Sequence, residues 1–240
     1  MTEPLVLLPG FMTDARIWGA QIEALSASRT LVLPSFGRGA AVDDMADAVL
    51  ADAPPRFALA GPGLGGMVAM AILARAPERV TRIALLATSC LAEPPQAAAA
   101  RDQRIARVKA GRLADAMREE VPAEALAAGP MRAPVAEFLV EMAMGLGRDA
   151  YLHQSQAMLR RPDRQRVLRQ ARLPALILGG AEDRIHLPRR HEFMAELMPR
   201  GELCIVEGAG HAPTLERPEA VTAALEAWLE RVPEPARRAP

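Results

Sequence analysis

Short apolar runs alternate with amphipathic stretches along most of this chain. The runs Leu5–Leu8, Thr30–Leu33, Phe57–Ala60, Arg82–Ala87, Ala175–Leu178 and Leu203–Val206 have the length of strands. They are apolar almost throughout, not at every second position, which is the mark of strands covered on both faces in a parallel sheet. Between them, apolar residues recur at helical spacing in Ile17–Ser26, Asp43–Ala51, Leu64–Ala74, Arg189–Met198 and Pro218–Val232. Strands and helices in alternation predict an α/β fold on a doubly wound, mainly parallel sheet.

The alternation stops between Leu91 and Arg172, where helical periodicity continues with breaks at Pro122, Gly129-Pro130, Gly145 to Gly147 and Pro162. Residues 91–171 therefore read as a helical insertion that divides a core made of 1–90 and 172–232. A segment inserted after the C-terminal end of a strand lies over the crevice where α/β sheets bind ligands, so a lid is expected, with a purely structural decoration as the alternative. Residues 233–240, rich in Pro and Arg, read as a disordered tail.

Composition narrows the partner. The chain has 240 residues, half of them hydrophobic, enough for one large core. Its 29 basic and 29 acidic side chains cancel, so no net field draws it to nucleic acid or to an anionic membrane, and a small molecule is the expected partner. Lysine occurs only at Lys109, and the wealth of Arg, Ala and Pro reads as coding bias, not as a phosphate-binding signature. Cys90 and Cys204 lie far apart in or beside apolar runs, which suggests buried thiols and a cytoplasmic protein. The N-terminus has no basic n-region, and Leu5–Leu8 is too short for a signal peptide or a membrane span.

The chemistry concentrates in three loops. Phe57 to Ala69 reads as a strand, a glycine-rich turn and a helix, with Gly61, Gly63 and Gly65 in the turn. Gly61, Gly63 and Gly66 also spell G-x-G-x-x-G, the dinucleotide pattern, but the acidic residue that pattern needs about twenty positions on is replaced by Ala87-Thr88-Ser89. No cofactor is expected. Gly179-Gly180-Ala181-Glu182-Asp183-Arg184 follows the fifth strand and Glu207-Gly208-Ala209-Gly210-His211 the sixth, while Leu8-Pro9-Gly10-Phe11-Met12 follows the first.

These motifs resemble those of the α/β-hydrolase family, with small bacterial carboxylesterase-like hydrolases as the nearest type. The glycine-rich turn is similar to the G-x-S-x-G nucleophile elbow, with Gly63 where the serine stands. The resemblance implies that Asp183, or the adjacent Glu182, is the triad acid and His211 the base, in the family's chain order. It further implies an oxyanion hole from the backbone N–H groups of Phe11 and Leu64, and substrate contacts from Met12 and Trp18. Pro9 and Pro62 depart from the residues usual in that family. Ser89 and Cys90 follow the fourth strand but lie on no elbow. His153, His186 and His191 are scattered without ligand spacing, so no metal site is expected, and they read as solvated or insertion residues.

Gly63 has no atom with which to form an acyl-enzyme. Three functions stay open. The chain is a hydrolase of small esters or related carboxylic derivatives that lost its serine to a natural or engineered exchange. Alternatively, His211 and Asp183 act as a general base without a covalent intermediate, in direct water attack, a lyase step or an isomerisation. Or it is a noncatalytic module that binds a small apolar ligand beneath Met-containing helices, with Met131, Met142, Met144 and Met158 mostly in the insertion's own core.

Overall fold

The computed structural model describes residues 2–37 and 39–232; the segment read as a tail, 233–240, lies outside the described residues. Six strands form one parallel sheet: β1 (Leu5–Leu7), β2 (Leu31–Val32), β3 (Phe57–Pro62), β4 (Val80–Leu86), β5 (Ala175–Gly180) and β6 (Gly201–Val206), in the order β2-β1-β3-β4-β5-β6. Every neighbouring pair is parallel, with Val6 opposite Leu59 and Ile177 opposite Leu203 in register. This is the doubly wound, parallel α/β sheet expected from the pattern.

The continuous apolar runs have the physical cause inferred for them. Val6, Leu59, Ile83, Leu85 and Ile177 face helices α2 (Val42–Asp52), α3 (Leu64–Arg75) and α8 (Pro188–Leu197). Their neighbours Leu5, Leu7, Ala60, Leu86 and Leu178 face α1 (Gly19–Leu25) and α10 (Pro218–Glu230). The four central strands thus bury both sides. The runs expected as buried strands at Thr30–Leu33 and Leu203–Val206 instead form the sheet's edges, β2 partly buried and β6 with Leu203 exposed, because no further strand covers them.

β4 begins two residues before the predicted start because its polar residues are satisfied inside. Thr81 Oγ1 donates to the Phe57 carbonyl at 3.0 Å. The Arg82 guanidinium bonds Glu3 at 2.9 Å and the Leu229 and Arg231 carbonyls at 2.5 and 2.7 Å. It thereby satisfies carbonyls left open at the end of α10.

Between β4 and β5 the insertion is helical, comprising α4 (Pro95–Lys109), α5 (Leu113–Glu120), α6 (Arg132–Arg160) and α7 (Gln165–Gln170). The predicted breaks all fall between helices or at a kink: α6 bends at Gly147, where φ is 83° and ψ 179°. The insertion has its own core, built from Met12, Ile105, Leu113, Met117, Val140 and Tyr151. Met142 is fully buried, whereas Met131 and Met144 are exposed and belong to no core, which corrects their assignment to the insertion's interior. No helix among the described residues is long and apolar enough to cross a membrane.

Candidate active site

The sheet order reverses between β1 and β3, so the loops after these strands part above the sheet and leave a crevice at its C-terminal edge. A cavity of about 540 Å³ occupies this place and is lined by Phe11, Gly63, Leu64, His186 and His211.

Gly63 joins β3 to α3 in a tight turn, with φ 51° and ψ −117°. Its flanking glycines are sterically required. A Cβ on Gly61 would fall 2.4 Å from the Gly65 carbonyl carbon, and one on Gly65 2.3 Å from the Pro9 oxygen. A Cβ on Gly66 would meet the Thr88 side chain at 2.6 Å. Close approach at Gly61 and Gly66, together with the positive φ at Gly63, therefore accounts for the glycine pattern that also matched a dinucleotide motif. Gly63 differs from them: its Cβ would meet only the Ala87 oxygen, at 4.0 Å. The turn is fastened from outside by the Thr88 hydroxyl, which donates to the Gly63 carbonyl at 2.6 Å, and by the Gly63 N–H, which donates to Leu86 at 3.0 Å.

His211 Nδ1 lies 3.0 Å from Asp183 Oδ2. The second carboxylate oxygen accepts the backbone N–H groups of Ile185 at 2.8 Å and His186 at 2.9 Å. Burial by itself would raise the Asp183 pKa, but the His211 ring and the hydrogen bonds overcome it and hold the carboxyl down at about 2. On His211 burial favours the neutral ring; the Asp183 carboxylate, with Glu216 and Glu120 beyond it, outweighs this and holds the pKa above its ordinary value. An ionised Asp183 accepts the Nδ1–H, which leaves Nε2 as the basic nitrogen. Glu182 turns away: it is exposed and accepts the Ala128 N–H at 3.0 Å.

The loop carrying His211 is clamped from two sides. Glu216 accepts the N–H groups of Gly210 at 2.9 Å, Ala212 at 2.8 Å and Ala127 at 2.6 Å. The His211 N–H donates to Ala125 of the insertion at 2.8 Å. Glu216 lies in the four-residue helix α9 (Pro213–Glu216), too short for a periodicity to reveal.

The backbone N–H groups of Phe11 and Leu64 have no protein acceptor among the described residues, and Leu64 opens α3 without a side-chain cap. Both residues line the cavity. The loop after β1 is fixed beside them by Met12, whose φ is 50° and whose N–H donates to Gln154 Oε1 of α6 at 2.7 Å.

Met12 and Trp18, expected at the substrate, are not on the cavity wall. Met12 is fully buried in the insertion's core, and Trp18 is fully buried with its indole N–H donated to the Leu8 carbonyl at 2.7 Å. Both are scaffold residues that set the shape of the loop. Neither His186, half-buried on the cavity wall, nor His191 lies in the insertion, and His191 is not solvated. The backbone bond from His186 to Asp183 wraps the loop and brings its ring to 5.4 Å from the His211 ring; burial, then the neighbouring histidine, push its pKa down to about 3. His191, on α8, is fully buried against Gly179, and burial pushes its pKa down to about 4. His153 does lie in the insertion, half-buried on α6.

Of the two residues after β4, Ser89 lines the cavity and its oxygen accepts the Leu91 N–H at 3.2 Å. Cys90 is buried off the main cavity, and burial pushes its thiol up to about 11, so it has little thiolate near neutrality. Cys90 and Cys204 are both free. Among the described residues no group of three or more His, Cys, Asp or Glu side chains is placed to hold a metal ion.

A parallel sheet with a glycine turn after β3, an acid after β5 and a histidine after β6 defines the hydrolase class, and residues 5–224 match the model of the alpha/beta hydrolase family. The chain belongs to that family. It is 30% identical over 234 residues to a pimeloyl-(acyl-carrier protein) methyl ester esterase of Aromatoleum aromaticum, covering 90% of this chain and 93% of that protein. A similarly named protein of Edwardsiella ictaluri is 30% identical over 236 residues, covering 92% of this chain and 91% of its own length. Among solved structures, a thermophilic esterase from Thermogutta terrifontis with malate bound superposes with a TM-score of 0.87 at 27% identity, covering 95% of this chain and 90% of that one.

Proposed function

We propose that this chain hydrolyses small carboxylic esters or related acyl derivatives without a covalent intermediate, with His211 as general base on water. The observation that carries the reading is the intact His211–Asp183 pair, its carboxylate buried and held by two backbone N–H groups, on the cavity that Gly63 also lines. Similarity to methyl ester esterases supports the substrate class.

In this mechanism water attacks the ester carbon while Nε2 of His211 takes its proton. The carbonyl oxygen becomes an oxyanion that accepts from the Phe11 and Leu64 N–H groups. Collapse breaks the bond to the leaving alkoxide, which takes the proton back from Nε2. Asp183 stays ionised and stabilises the imidazolium between these steps. The insertion acts as the lid: it roofs the cavity and is pinned to the histidine loop through Ala125 and Ala127.

The open space above Gly63 favours one further reading, that the scaffold is an esterase silenced by exchange of a serine for glycine. Stopped-flow assays with activated short-chain esters separate the two. Direct water attack gives linear product release with no burst, abolished in His211→Ala. A silenced esterase gives no turnover until Gly63→Ser restores a burst.

A further inference from the structure

Part of the cavity wall is ionic and its charges do not balance. Arg161 is paired with Glu93, which is also 3.2 Å from Arg101; Arg101 reaches Glu120 at 2.6 Å, and Glu120 reaches Arg104 at 2.5 Å. Three guanidinium groups therefore share two carboxylates, and all five side chains are at most 14% exposed. Arg190 adds a fourth cation on the wall and has no acidic partner among the described residues. Among the described residues, Glu93 and Glu120 are the only carboxylates lining the cavity.

Arg190 also sits in the first turn of α8, at the positive end of the helix, where no acidic residue accompanies it. A cation is disfavoured there unless an anion shares the site. The surplus is felt nearby: burial, then the charge of Arg190, push the Arg161 pKa down to about 10. The wall is linked to the reacting centre, since the Arg101 guanidinium lies 5.3 Å over the Phe11 ring.

We propose that this wall is a carboxylate-binding subsite and that the substrate carries, besides its reacting ester, a free carboxylate held by Arg190 and Arg161. Planar guanidinium groups match the carboxylate fork, and the low-dielectric wall strengthens the bond. A cavity of about 540 Å³ has room for both ends of a short dicarboxylic half-ester. The proposal rests on the ester reading only for what happens at the other end of the molecule.

Monomethyl and dimethyl glutarate compare a charged with a neutral substrate, and calorimetry with glutarate reads binding alone. The half-ester is expected to be preferred in kcat/KM by about tenfold or more, the effect of one charge-assisted hydrogen bond. Arg190→Met breaks no ion pair, and it should remove most of that preference and weaken glutarate binding by a similar factor. Arg190→Lys should restore part of both. Glutarate binding without ester turnover would sustain the subsite and sink the ester reading. Ester turnover with no half-ester preference and no glutarate binding would do the reverse. Inorganic phosphate displacing glutarate at equal concentration would overturn the assignment to carboxylates.

Discussion

At Gly63 the backbone takes φ 51°, which L side chains rarely adopt, yet the space for a side chain is open. Glycine holds this turn without the strain of about 1–3 kcal/mol that another residue would carry. Gly63→Ser is therefore expected to lower stability by about 1–2 kcal/mol in denaturant titration, while adding a burst equal to the enzyme concentration. His211 titrates above its ordinary value, so the neutral base forms, and turnover rises, only as pH passes a midpoint above 6.5. Asp183→Asn should cut turnover by about 10³- to 10⁴-fold, because it disturbs both the tautomer and the imidazolium. A pH–rate profile with its midpoint below that of free imidazole would contradict this picture. Sequence made Gly63, Asp183 and His211 legible because each sits in a loop motif at the end of an apolar run. Arg190, Arg161 and Glu93 were not legible: they come from three separate segments, and arginine richness read as composition.

Among the elements, the β3–α3 turn is tightly constrained. Gly65→Ala would press a methyl carbon to 2.3 Å from the Pro9 carbonyl oxygen, which is backbone and cannot swing aside. A loss of about 1–3 kcal/mol and disorder of the neighbouring Phe11 loop are expected, to be checked by thermal unfolding and by residual activity. Strand and helix positions were readable to within a few residues because burial on both faces of the central strands leaves unbroken apolar runs and one-sided burial of the helices leaves a helical spacing. The exceptions are instructive. β4 starts with Thr81 and Arg82, polar residues that bond internally, and Met12 and Trp18 looked like pocket residues because they flank the loop whose interior they fill.

For the whole molecule, Arg82 joins the N-terminal segment, the central sheet and the last helix through one guanidinium. Arg82→Met leaves those carbonyls and Glu3 unpaired, and a drop of about 2 kcal/mol or more in unfolding free energy is expected. The His211–Asp183 pair also links pH to stability. Asp183, lowered to about 2 from 3.8, contributes above 3.8 and loses that contribution as pH falls toward 2. His211, raised above 6.5, contributes fully below 6.5 and loses it as pH climbs through its folded value. The Tm difference between the native chain and Asp183→Asn should thus be largest between these limits. The measurement closest to the central claim is ester turnover in His211→Ala beside the native chain. A native rate above background that falls by about 10²-fold or more in the variant is expected. An unchanged rate, or no native turnover at all, would contradict His211 as the base of this enzyme.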